Sequence, residues 1–384
     1  MKTYSQILNE NRKWAEEIFA KIDKKMSQVA IRSRDKLPAE ADKNGIHDDK
    51  KPTDPQWWTN GFFGSMNLLL YEYTKNEEYL KTAKASEKSL DLAFANLDKL
   101  NHDVGFMWHI LSGAIHKLTG DENSRTRNLF MACHLSARYV YGGDYISAWP
   151  SSPTYSIIDC MMNLPILYWA SEQIGDDRFK RIALAHADMT ERHHIRDDGS
   201  VIHIVEHDRD NDAVIATHGG QGYCDGSSWS RGQAWALYGF IISYIHTGEV
   251  RYLNAAKRVA NYFIAACSDD WLPRVDFRAP AEPVYYDTTA AGCAACGLIE
   301  LAKALPENEG GMYMNGAVNI LRAVTEKCSN FDPSNDTMIL YGSRRYPTDG
   351  MSLERAGVHT YLVYSDFYYT EAILKLLGSE FFVW

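Results

Sequence analysis

One pattern of hydrophobic and polar positions recurs along the chain: an apolar stretch, a Gly or Asn stop, an acidic residue, then an aromatic and a new run with helical spacing. It is clearest in Tyr71-EYTKNEEYLKTA-Lys84, Ile174-GDDRFKRIA-Leu184 and Ile245-HTGEVRYLNAAKRVA-Asn261, and looser in Leu118-TGDENSRT-Arg127 and Ala304-LPENEGGMYMNGA-Val318. This is how a helix closes on a residue tolerant of the left-handed conformation, turns, and starts a second helix whose dipole Asp or Glu complements. These are αα-hairpins. A lone hairpin cannot bury its apolar face, so five visible hairpins plus a terminal pair predict about six, stacked as a closed ring or solenoid. The short turns then lie on one side. The long aromatic-rich segments 52–63, 99–108, 142–156, 197–230, 269–289 and 341–360 lie on the other, where function is expected. Strand signals are few: Ser200-VIHIVEH-Asp208 alternates, and Val275-DFRA is a second short candidate. The expectation is an all-α architecture with minor β in its loops, in a single domain, 1–384.

Composition acts mainly by exclusion. With 45% hydrophobic and 23% charged residues among 384, the chain can bury a large core. A formal net charge of −10 speaks against nucleic acid or an anionic membrane as the partner, because both call for basic patches. The N-terminal MKTYSQILNENRKWAEEIF carries charge through what would have to be a signal's apolar core, and no apolar run approaches the ~18 residues of a membrane span. A soluble, non-secreted protein is expected. Seven cysteines, most in apolar helical surroundings (Cys133, Cys160, Cys267, Cys328), fit reduced core thiols and the cytoplasm. Cys293-Ala-Ala-Cys296 lacks the second pair a zinc site needs and reads as part of a buried helix.

Two aspartates then stand out. Asp159, between Ile158 and Cys160 in an otherwise apolar run, costs free energy unless it is paired or functional. Burial should raise its pKa, which suits a general acid; the other reading is a helix-capping aspartate. Asp103 follows His102 in Asn101-His-Asp-Val-Gly-Phe-Met-Trp108. Aromatics accompany both: Trp57-Trp58-Thr-Asn-Gly-Phe62-Phe63, Trp149, and Trp229 with Trp235, either as platforms for sugar rings or as core. In DGSSWSRGQAWALYGF (225–240) Arg231 sits in the first turn of a helix, where the dipole disfavours a cation. Either an anionic ligand group is meant to sit there, or a protein carboxylate pairs with it. Two motifs are decoys. His203-Ile-Val-Glu206-His207 matches a zinc-protease pattern but alternates like a strand rather than placing both imidazoles on one helical face. Asp208-Arg-Asp210-Asn-Asp212 starts like a calcium loop, yet lacks the glycine at position six and the carboxylate at twelve.

Taken together, IIDCMMNLPILYWA, the Gln221…DGSSWSRGQAWALYGF block, NHDVGF, the WWTNGFF box and YYDTTAAGCAACGLIELA resemble the unsaturated glucuronyl hydrolases of glycoside hydrolase family 88, in order from about 55 to 375. The resemblance implies an (α/α)6 barrel that removes the 4,5-unsaturated uronic acid left by polysaccharide lyases at the non-reducing end of oligosaccharides, such as those from glycosaminoglycans. It implies hydration of a vinyl ether: an aspartic acid protonates C4, water activated by the same residue adds at C5, and the hemiketal collapses with loss of the aglycone. Carried onto this sequence, Asp159 is that acid and base, and Asp103 its charged partner. His102, His203 and Gln221 become polar contacts, Arg231 a uronate or polar contact, and Trp58, Phe62, Trp149 and Trp235 aromatic walls. Tyr346 in Gly342-Ser-Arg-Arg-Tyr-Pro347 is the candidate substrate tyrosine. The run Thr217-His-Gly-Gly-Gln-Gly222 has one residue more than the family's arrangement, which leaves His218 outside these contacts. No cofactor or metal is expected. The neighbouring reading is an unsaturated rhamnogalacturonyl hydrolase acting on pectin fragments. More distant readings are a sugar 2-epimerase working through His193-His194 and His203/His207, and a non-enzymatic carbohydrate-binding barrel.

Overall fold

The computed structural model describes every residue except 1, 268, 269 and 349, so two of the long segments, 269–289 and 341–360, include positions outside the described residues. The chain begins with α1 (Tyr4–Arg32). Five helical hairpins follow: α2 (Phe62–Thr74) with α3 (Glu77–Leu90), α4 (Ala114–Thr119) with α5 (Glu122–Ser136), α6 (Pro165–Ile174) with α7 (Arg178–His194), α8 (Ser230–Thr247) with α9 (Val250–Ala266), and α10 (Thr288–Lys303) with α11 (Glu307–Cys328). The short α12 (Leu353–Ala356) precedes α13 (Val363–Leu376). The hairpins turn where the sequence pattern places them. Lys75, Gly120, Gly175 and Gly248 close their helices with φ between 59° and 71°, and Asn76 and Asp121 accept the first N–H groups of the next helix.

Two rings result. Helices α2, α8, α10 and α13 are buried nearly all round and, with α4 and α6, form an inner ring, closed by packing of α13 on α2. Helices α3, α5, α7, α9 and α11 show the core one stripe and cover the ring from outside. The sixth pair joins the two ends of the chain, because α1 lies against α13, α11 and α3. This is an (α/α)6 barrel. The chain packs closely on α8 where its residues are small: Gly232 faces Ile158, and Gly239 lies against Met161. Cys293 and Cys296 are buried in α10.

The β structure is confined to the long loops. β1 (Glu40–Ala41) pairs with β7 (Tyr361–Leu362), and β2 (Tyr139–Val140) with β3 (Tyr145–Ile146). β4 (Tyr155–Ile157), β5 (Ile204–His207) and β6 (Val214–His218) form an antiparallel sheet, with Ile157 opposite Ile204 and Ile204 opposite His218. The alternating segment 201–207 therefore supplies a strand. Val275-DFRA does not: only isolated bridges flank it, Arg274 to Tyr286 and Asp276 to Trp229. Asp276 spends its carboxylate on Ser227, Ser228 and Tyr223, so a loop, not a ladder, satisfies this backbone. Among the described residues no helix is long and apolar enough to cross a membrane.

Candidate active site

At the loop end of the barrel a cavity of about 250 Å³ is lined by Trp57, Trp58, Asn101, His102, Asp103, Trp149, Ile157, Asp159, Gln221, Trp229 and Arg231. Asp159 stands in a 3-10 turn, Ile158–Met162, that continues β4 toward α6. The sheet sets its neighbour: the Ile158 N–H donates to the His203 carbonyl at 3.0 Å, and His203 Nε2 then lies 3.4 Å from Asp159 Oδ2. The other side of that imidazole is fixed as well. His203 Nδ1 lies 3.0 Å from the Gln221 N–H, which donates to it, and 3.2 Å from the Gly219 carbonyl; with Nδ1 accepting from the closer Gln221 N–H, the ring proton sits on Nε2, facing Asp159. Gly220, at φ 62°, permits this turn, since a Cβ there would lie 2.2 Å from His203 Nδ1.

His102 and Asp103 arrive from the opposite wall. His102 Nδ1 donates to the Ala148 carbonyl at 2.9 Å, and Nε2 lies 3.1 Å from Asp103 Oδ1. Burial would lower the proton affinity of His102, but the charge and hydrogen bond of Asp103, reinforced by Asp159, raise it above the ordinary value. Asp159 reverses the sequence expectation. It is 9% exposed, and burial does push its carboxyl up, yet the hydrogen bond and charge of His203, with His102 and Arg231 behind, bring it below the usual carboxylate range.

Arg231 is buried, 1% exposed, and its guanidinium faces protein. Nη1 donates to Asp287 Oδ2 at 2.7 Å and to the Ser343 carbonyl, and Nη2 to the Arg344 carbonyl at 2.7 Å. Its plane lies 4.5 Å over the Trp229 ring. Asp287 is the N-cap of α10, accepting from Thr289 and Ser343, so the cation in the first turn of α8 is held by a carboxylate 56 residues away. Of the two readings of that arginine, the geometry follows the protein pair: Arg231 lines the cavity and anchors the 343–344 loop. Gln221 does the same work, its amide donating to the Arg344 carbonyl at 2.6 Å and its own carbonyl accepting from the Tyr346 N–H.

Three expected contacts lie elsewhere. Phe62 and Trp235 are fully buried and pack on Phe106 and Tyr368, one layer beneath the cavity, because both belong to inner helices whose whole circumference is core. Tyr346 is buried against Tyr223 and Tyr285, outside the cavity lining. Trp58 and Trp149 do line it, Trp149 meeting His102 edge-on at 6.0 Å. Trp57 and Trp229 join them; Trp229 lies 4.4 Å from His203, a wall that the alternation of WSRGQAW could not distinguish from core. The cavity shares Trp57, Trp58, Gln221 and Arg231 with a second one of about 340 Å³, which Glu40, Arg344, Arg345 and Arg355 also line.

The decoys fall away from this site. His207 and His194 bond to Ser156 Oγ at 2.7 and 2.8 Å, and His193 faces Asp212 at 3.0 Å, so the paired histidines of an epimerase reading do not meet in the cavity. Asp208 accepts from Asp210 N, and Asp212 pairs with Arg192, as in a solvated turn. Among the described residues no cluster of three His, Cys, Asp or Glu side chains is arranged to hold a metal ion.

Comparison with known proteins is decisive for the family. The model of Glycosyl Hydrolase Family 88 matches residues 30–270. The chain belongs to glycoside hydrolase family 88. Among family 88 relatives, the unsaturated glucuronyl hydrolase of Bacillus sp. (strain GL1) is 34% identical over 331 residues, covering 83% of this chain and 86% of that one. The unsaturated chondroitin disaccharide hydrolase of Streptococcus agalactiae serotype III (strain NEM316) is 28% identical, covering 96% and 93%. The crystal structure of unsaturated glucuronyl hydrolase from Streptococcus agalactiae superposes with a TM-score of 0.87 at 28% identity, over 96% of this chain and 94% of that one. Family 88 membership makes this protein a glycosidase.

Proposed function

We propose that this family 88 enzyme removes the 4,5-unsaturated uronic acid from the non-reducing end of glycosaminoglycan-type oligosaccharides, with the whole chain, 1–384, working as one catalytic unit in the cytoplasm. The observation that carries the reading is the environment of Asp159: a buried carboxyl at the wall of a tryptophan-lined cavity, flanked by His203, whose Nε2 lies 3.4 Å from Oδ2, and by the His102–Asp103 pair. Seven free cysteines fit a reducing compartment.

In the free site Asp159 favours the carboxylate. A substrate uronate beside it adds like charge and raises its proton affinity, so binding itself makes the acid. Asp159 then delivers its proton to C4 of the C4=C5 bond, and the positive charge developing at C5 and the ring oxygen is met by the nearby carboxylates. The Asp159 carboxylate next takes a proton from the water that adds at C5. The C5 hemiketal opens to a ketone, and C1, now a hemiacetal, releases the aglycone as an alcohol. Trp58, Trp149 and Trp229 offer flat apolar faces to the planar ring. Arg231 acts as a positioning residue for the loop on which Arg344 stands. The second cavity suits the leaving sugar, and Arg344, Arg345 and Arg355 on its wall suit an anionic one.

The test is spectroscopic. Unsaturated disaccharides made by chondroitin, heparin and pectin lyases are incubated with the protein, and the far-ultraviolet absorbance of the conjugated double bond is followed. We expect its loss with a glucuronyl substrate, and a fall in kcat of roughly 10³-fold or more in Asp159→Asn with the thermal transition unchanged within a few degrees. Loss only with the pectin fragments would move the assignment to a rhamnogalacturonyl hydrolase; constant absorbance with all three would end it.

A further inference from the structure

Asp103 and Asp159 come from different hairpins, and one buried side chain joins the backbones that carry them. Asn163, 0% exposed, accepts the Phe106 N–H on Oδ1 at 2.9 Å and donates from Nδ2 to the Asp159 carbonyl at 3.2 Å. Phe106 lies three residues after Asp103. The two segments touch there without slack: a Cβ on Gly105 would stand 2.7 Å from Asn163 Oδ1 and 2.8 Å from its Cα.

The helices entered at these points are unusual in the ring. α2, α8, α10 and α13 begin directly as α-helix, whereas α4 is entered through a π-helical stretch, Gly105–Gly113, and α6 through the 3-10 turn that holds Asp159. Wide and tight turns of this kind concentrate at functional sites because they re-aim side chains that regular helix would send elsewhere. At the helix start the Phe106 N–H has no partner within its own helix, and Asn163 supplies one. A serine hydroxyl would have to accept and donate through one oxygen. The amide carries its acceptor and its donor on two atoms, so it reaches the Phe106 N–H and the Asp159 carbonyl at once.

We propose that Asn163 is a positioning residue that sets the separation and aim of Asp103 and Asp159, with Gly105 as the contact surface it closes on. This rests on the reading of Asp159 as the acid. Asn163 touches no substrate; it acts through the two carboxylates, so its loss should lower turnover while leaving binding to the tryptophan walls in place.

The experiment compares the full-length wild type with Asn163→Ala, Asn163→Asp, Gly105→Ala and a control, Asn67→Ala. Asn67 is equally buried in an inner helix and also donates its amide to a backbone carbonyl, that of Phe63, but within its own helix. Steady-state kinetics on the unsaturated disaccharide are run well below each variant's unfolding temperature. A misplacement on the ångström scale predicts kcat lower by about 10²-fold in Asn163→Ala and Gly105→Ala, with KM within about twofold, and a displaced acid limb in the pH dependence of kcat. Asn163→Asp keeps the acceptor for Phe106 and should recover part of kcat. Asn67→Ala should lose stability and keep kcat within about twofold. If Asn163→Ala and Asn67→Ala fall together in stability and retain the same kcat and pH profile, Asn163 is structural only and the proposal is wrong. Should Asn163→Ala fail to fold, Gly105→Ala decides: unchanged kcat overturns the proposal. An inactive wild type would instead overturn the hydrolase reading, and a fully active Asp159→Asn the acid assignment.

Discussion

His102 and His207 are both buried, and each lies beside the same loop system, yet the first binds its proton more tightly than a free imidazole while the second is pushed down to about 4. The difference lies in their partners. His102 faces Asp103 and Asp159, whose charges outweigh the penalty of burial. His207 belongs to a group behind the sheet, with His186 and His194, in which burial dominates; the charge of Asp212, beyond His193, is too weak to offset it. Its chain of hydrogen bonds has one direction: His207 Nε2–H donates to Ser156 Oγ, the Ser156 hydroxyl donates to His194 Nε2, and His194 Nδ1–H donates to the Ile202 carbonyl. That order holds only while His194 is neutral, because its Nε2 must accept. Burial lowers His194 to about 3 and takes His186 well below its ordinary value. One face of the β4–β5 pair is thus built to hold charge and the other to refuse it.

Removing the charge should break the contrast most strongly. In Asp103→Asn the largest contribution raising His102 disappears, so burial should carry its pKa below 6.5, and kcat should fall by about 10²-fold as the carboxylate beside Asp159 is lost. Titration of the His102 ring signals by NMR, together with kcat, measures both; a His102 pKa that stays high in the variant would mean that Asp103 is not what sets it. The next effect is on stability in acid. His186, His194 and His207 have folded pKa values below the unfolded 6.5, so the unfolded chain takes up protons first as the pH falls. Their contribution is present above about pH 6.5 and is lost progressively toward pH 3–4, amounting together to a few kcal/mol by pH 5. His102, being raised, works with the opposite sign: its contribution is full below the unfolded value and disappears as the pH rises through the folded one. Thermal unfolding followed from pH 7.5 to 5 should therefore show a falling transition temperature, and a flat profile would contradict the neutral cluster.

How much of this was legible beforehand depended on range. Hairpin turns are local, so Gly120, Gly175 and Gly248 marked their positions in the sequence, and so did Asp121 as a cap. Asp159 was legible because a carboxylate in an apolar run needs an explanation. Its ionisation was not, since the sequence shows burial but not the His203 ring that outweighs it. Arg231 was legible as an anomaly, while its partner Asp287 is distant in the chain and meets it only once α8 and α10 lie side by side in the ring. Phe62 and Trp235 were misread as walls for a similar reason: spacing shows which residues share a helical face, but an inner helix of a double ring has no outward face. That the terminal pair joins α1 to α13 from the two ends of the chain gave no local signal.

The smallest effect should come from Ser156→Ala, and it probes whether the two faces are separable. Ser156 stands three residues before Asp159 on β4, but its hydroxyl faces His194 and His207, away from the cavity. Its removal leaves the His207 donor and the His194 acceptor facing a methyl group, which costs about 1–2 kcal/mol for buried groups left unpaired. Without the hydroxyl His194 also loses the bond that holds it neutral, so its folded pKa moves back toward 6.5 and stability falls less steeply between pH 7.5 and 5.5 than in the wild type. At neutral pH kcat should stay within about twofold, because His203, Gln221 and the Ile158-to-His203 backbone bond that place Asp159 do not pass through Ser156. Urea unfolding at pH 7.5 and pH 5.5, read beside kcat, separates the outcomes. A large loss of kcat without loss of stability would show that the neutral cluster helps to hold Asp159 in place, and that the sheet transmits between its faces rather than dividing them.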